Sequence, residues 1–74
     1  MSVKEAMYNT ELAEFHSQRD KAIATARIYL EHPVGIGEHP QVIDEFIKQI
    51  KIAAESEEAA SMLVDTFRDE IIQE

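Results

Sequence analysis

Both prolines, both glycines and two of the three histidines of this 74-residue chain fall in nine consecutive residues, His32-Pro33-Val34-Gly35-Ile36-Gly37-Glu38-His39-Pro40. Glycine permits positive φ and lets a backbone approach a ligand closely. A proline opening a helix leaves the first-turn N–H groups free, at the positive end of the helix dipole, where anions bind. His32 and His39 can donate to a phosphate or carboxylate, and Arg27 lies about one turn before the segment. The chemistry expected here is capture of a small anion such as a nucleotide phosphate. The expected contacts are Arg27, Tyr29, His32, Gly35, Ile36, Gly37 and His39, with Arg27 and Tyr29 as charge and stacking partners. Glu38 opposes this reading by placing a negative charge in the same segment. The competing reading is a rigid corner. There Gly35 and Gly37 serve a helix C-cap and a tight turn, while Val34 and Ile36 cover the end of the core.

Other chemistries find less support. His16, His32 and His39 with Glu31 or Glu38 are the available metal ligands. They show neither an i, i+4 histidine pair nor a Glu-x-x-His motif, so no metal site and no cofactor are expected. Ser2, Ser17, Ser56 and Ser61 lie outside any nucleophile-elbow pattern. The many carboxylates fall on faces expected to be solvated. The chain reads as non-enzymatic.

Two helical arms must position the central segment. Residues 3–31 contain neither Gly nor Pro. Tyr8, Leu12, Phe15, Ala22, Ile23, Ala26 and Leu30 recur at the spacing of one helical face. Ser2, with Glu5 at the capping-box position, caps a helix starting near residue 3, with Asn9 or Thr10 as later alternatives. The helix must end near Glu31, because a residue before proline is pushed out of the α region. The second arm opens at Pro40. Its apolar seam reads Ile43, Phe46, Ile50, Ala53, Glu57, Ala60, Val64, Phe67, Ile71, a heptad interrupted at Glu57, and Val42, Ile47 and Leu63 widen it toward a bundle-type face. Glu57 is expected either to set register or to mark the end of the seam. One continuous helix over 40–72 is expected, with a break at Ser56 as the alternative, because serine followed by Glu57 and Glu58 suits a helix start.

The fold class is therefore all-α, a long antiparallel helical hairpin forming a single domain over 1–74: helix 3–31, loop 32–39, helix 40–72. A hairpin buries one stripe per helix, which leaves Ile28, Ile36, Val42, Ile52, Met62 and Ile72 to be covered. Assembly of copies into a helical-bundle oligomer, a dimer or higher, answers that need. So small a chain has little core of its own, and with no cysteine it has no disulfide to compensate.

A formal net charge of −8 argues against duplex nucleic acid and anionic membranes as partners. No apolar run approaches a membrane span of about 20 residues. Met1-Ser2-Val3-Lys4-Glu5 offers no signal-peptide core. A soluble cytoplasmic protein is expected. The acidic residues of the second arm, against Lys48, Lys51 and Arg68, read as a solvated face or as a docking surface for a basic partner.

The stretch Tyr29 to Pro40, and above all Pro33-Val34-Gly35-Ile36-Gly37-Glu38-His39-Pro40, resembles a family of small tailed-bacteriophage helix-loop-helix proteins. The likeness covers the middle third of the chain. It departs at Gln41, where an acidic residue is expected. The resemblance implies a phage accessory protein in the host cytoplasm. One style of such protein is an oligomeric anti-defence sponge that sequesters a cyclic dinucleotide or other nucleotide immune signal. The alternative is a phage structural or assembly component, or a module that engages a host protein through its heptad seam and acidic surface.

Overall fold

The computed structural model describes residues 2–31 and 40–72, with side chains for 2–31 and 41–71. Two helices, α1 (Val3–Glu31) and α2 (Pro40–Ile72), pack antiparallel along their lengths. Among the described residues there is no strand. The molecule measures 57 × 18 × 14 Å, one helix pair thick.

The helix limits follow from local chemistry. Ser2 caps α1: its Oγ accepts from the Glu5 N–H at 3.1 Å and donates to Glu5 Oε1 at 3.2 Å. The first helical bond runs from Ala6 N–H to the Ser2 carbonyl. Asn9 and Thr10 therefore lie inside the helix. α1 stops at the residue before His32-Pro33, and α2 starts on Pro40, whose missing N–H costs nothing in a first turn. α2 runs unbroken through Ser56 for 33 residues, about 50 Å at 1.5 Å per residue.

The face that α1 turns to its partner is a regular heptad. Glu5, Tyr8, Leu12, Phe15, Arg19, Ala22, Ala26 and Tyr29 alternate three- and four-residue steps, and each is buried or half-buried. Leu30, expected in this stripe, is 61% exposed. Tyr29 takes the seam position in its place, because a step of three from Ala26 keeps the heptad in phase.

On α2 the expected seam holds in part: Phe46, Ala53, Ala60, Val64 and Ile71 are buried or half-buried, and four positions are not. Ile43, Ile50 and Phe67 are 44%, 46% and 43% exposed, and Glu57 lies on the surface. The packed row is Val42, Phe46, Gln49, Ala53, Ser56, Ala60 and Leu63, with Val64 and Ile71 half-buried beside it. Phe46, Ala53 and Ala60 belong to both rows. What chooses between them is the pair Ser56-Glu57. A serine fits a narrow buried position, whereas a glutamate there would need a costly desolvated partner. Rotating Ser56 inward leaves Glu57 at the margin, where it reaches Arg19.

The core is thin. The middle of the hairpin is a waist of small residues, Ala22 and Ala26 on α1 and Ala53, Ser56 and Ala60 on α2. Small side chains at the contact bring helix axes together but bury few methylenes each. Tyr8, 6% exposed, is the one large buried side chain among the described residues, and none is fully enclosed. A compact protein of 8.4 kDa exposes about 4,600 Å², whereas this chain exposes 5782 Å². Val3, Met7, Ile28, Leu30, Ile43, Ile47, Ile50, Met62 and Phe67 stand open to solvent. Of the side chains expected to lack cover, Ile28 and Met62 do, while Val42 and Ile52 are half-buried against the hairpin.

Candidate functional site

Two of the seven expected contacts, Arg27 and Tyr29, lie within the described residues. His32, Gly35, Ile36, Gly37 and His39 fall outside them. Arg27 and Tyr29 stand two residues apart on a helix, so their side chains leave the axis about 200° apart. Arg27 is exposed, while Tyr29 turns inward and is half-buried. With Leu30, Val42, Ile43 and Phe46, Tyr29 lines a small groove of about 80 Å³ at the end where 32–39 connects the helices. Its ring is committed to Phe46 and its neighbours. Arg27 and Tyr29 therefore leave α1 in opposed directions and do not share one described groove.

The helix pair carries its own polar feature, which the spacing of apolar residues conceals. Arg19 sits in the seam between Phe15 and Ala22, with its side chain 27% exposed. Its guanidinium donates from Nε to Asp20 Oδ1 at 2.9 Å and from Nη1 to Glu57 Oε2 at 2.7 Å. These bonds, Asp20 first and Glu57 second, raise the Arg19 pKa above its ordinary value. A cation with a raised pKa lends stability that is whole below its unfolded pKa and lost only as pH rises past the folded one. For an arginine both lie beyond the working range, so alkaline pH leaves the pair charged. Arg19 to Glu57 is the cross-helix ion pair of the described residues. It spans the two helices beside the alanine waist, at the solvent-exposed margin of the seam. The signal was available in the sequence: Phe15, position 19 and Ala22 continue the heptad without interruption.

The two ends differ. At the open end, away from the connection, Lys4, Met7, Tyr8, Glu11, Leu63, Phe67 and Ile71 line a shallow apolar groove of about 240 Å³. At the connection end, Ile43, Ile47, Ile50 and Ala54 recur at helical spacing along one exposed face of α2. Charge is unevenly shared. Residues 2–19 and 56–72, the open half, hold eight acidic side chains against three basic. Residues 20–31 and 40–55, the connection half, hold five against four.

Among the described residues no three His, Asp or Glu side chains gather to hold a metal. His16 is exposed beside Ser61 and Asp65. No described helix is long and apolar enough to cross a membrane. Comparison with protein families, with curated proteins and with solved structures finds no match for the chain.

Proposed function

We propose that this chain is a non-enzymatic, self-associating helical module whose unit of function is an oligomer rather than the single hairpin. The observation that carries this is the apolar surface a lone hairpin leaves uncovered. Met7, Ile28, Leu30, Ile43, Ile47, Ile50 and Met62 are between 44% and 64% exposed, and an elongated hairpin of this mass has more total surface, polar and apolar together, than a compact monomer, by roughly 1,200 Å². The described grooves are shallow and open, and the one of about 240 Å³ at the open end is apolar. Size-exclusion chromatography with light scattering tests the reading. The mass expected is a multiple of 8.4 kDa. A mass of 8.4 kDa at submillimolar concentration would rule it out.

A second reading adds a ligand to the oligomer. The central segment is proposed to hold a small anionic molecule, such as a cyclic dinucleotide, between subunits, in a phage-encoded protein acting in the host cytoplasm. It is favoured by the partition of charge, which makes the connection half the less acidic half. The absence of any acidic side chain in the first turn of α2 also favours it. The opposed directions of Arg27 and Tyr29 favour a site to which two chains contribute. Calorimetry with a panel of cyclic dinucleotides tests it. Micromolar binding, abolished by Arg27→Ala with the oligomer intact, is the expected outcome, and no heat from any member of the panel would remove it.

A further inference from the structure

We propose that Ile43, Ile47 and Ile50 on α2, flanked by Leu30 of α1, are the surface on which a second copy of this chain docks about a two-fold axis. This identifies the partner and the face for the self-association proposed above, and it rests on that reading.

The stripe is built for a flat apolar contact. Ile43, Ile47 and Ile50 are 44%, 45% and 46% exposed, and steps of four and three place them on one face. Ala54 extends the row by a further turn with a small side chain. Leu30, 61% exposed, shares a groove with Ile43, so the patch spans both helices at the connection end. These rows lie beside the packed seam without contributing to it. α2 therefore carries two apolar stripes, one for α1 and one with no partner inside the hairpin, as a helix of a four-helix bundle does.

Charge selects the occupant. Two copies meeting through their connection halves bring together surfaces that are close to neutral, five acidic residues against four basic on each. Asp44, Lys48 and Lys51 border the stripe with both signs, so a two-fold arrangement can set an acid of one copy against a lysine of the other. Two copies meeting at the open ends, through the Met7 and Phe67 groove, would instead oppose halves with eight acidic residues against three basic. A strongly basic partner would be drawn to those open ends rather than to the isoleucine stripe.

Sedimentation velocity over a concentration series tests this with three proteins: the wild type, Ile47→Glu/Ile50→Glu, and Met7→Glu. All three positions are exposed in the hairpin, and circular dichroism checks that helix content is unchanged. The wild type and Met7→Glu are expected to dimerise alike. The double variant is expected to weaken the dimer by about a hundredfold or more, as charge placed in the centre of an apolar contact does. A wild type that dimerises, with the double variant dimerising equally well, overturns the proposed face and leaves self-association standing. Loss of the dimer in Met7→Glu alone overturns it in favour of the open end. A monomeric wild type at every concentration removes both this proposal and the reading beneath it.

Discussion

The open half and the connection half of the hairpin use apolar side chains for different ends. In the open half Tyr8 is buried between the helices, and the half is strongly acidic. In the connection half the large aliphatics, Leu30, Ile43, Ile47 and Ile50, face outward from a half that is close to neutral. The difference teaches where a two-helix chain finds its stability. A pair of helices has only one internal seam, and here much of that seam is alanine and serine. Hydrophobic burial scales with the area removed from water. Both halves gain some of it within the hairpin, through Tyr8 and Leu63 in the open half and through Tyr29, Val42 and Phe46 in the connection half, while Leu30, Ile43, Ile47 and Ile50 can gain more only from another chain.

Substitutions can break that division of labour. The largest effect on the hairpin is expected at Tyr8→Ala, because the site is buried and its ring meets the Leu63 and Phe67 side of α2. Urea unfolding at fixed protein concentration should show a loss of about 3 kcal/mol. A change below about 1 kcal/mol would mean that the open half is not where the hairpin is held. Leu30→Ala should behave in the opposite way. Its side chain is 61% exposed, so unfolding measured on the dilute, dissociated chain should move by no more than about 0.5 kcal/mol. Dimer dissociation should rise in the same variant. If Leu30→Ala destabilises the monomer as much as Tyr8→Ala does, the two halves are not distinct.

Much of the architecture could be read from the sequence because its signals are local. Ser2 with Glu5, the proline after His32 and the proline at position 40 act on their own neighbours, and they place both ends of α1 and the start of α2. The phase of α2 was not readable in the same way. Phe46, Ala53 and Ala60 fit two rows, and the more apolar row, with Ile43 and Ile50, is the one that turns outward. The packed row is hidden by Gln49 and Ser56, polar residues that packing against α1 accommodates. Hydrophobic periodicity reports that a face will be covered, not by which chain, and an oligomerising helix has more than one such face. Arg19 was missed for a related reason: a charged residue in a seam reads as an interruption until its partner, Glu57, is known to lie across the waist. Of the expected ligand contacts only Arg27 and Tyr29 lie within the described residues. Their opposed directions follow from helix geometry alone.

The central claim is that like meets like along the isoleucine stripe. The chain contains no cysteine, so a single introduced one reports only on its own contacts. Single variants Ile43→Cys, Ile47→Cys and Ile50→Cys, oxidised at low protein concentration, sample the stripe about any two-fold axis that crosses it, with Met7→Cys as the open-end counterpart. A residue near such an axis meets its own copy at disulfide distance. A covalent dimer, twice 8.4 kDa on a non-reducing gel, is expected for at least one stripe position and none for Met7→Cys. A dimer formed by Met7→Cys, with all three stripe variants remaining monomeric, would contradict it.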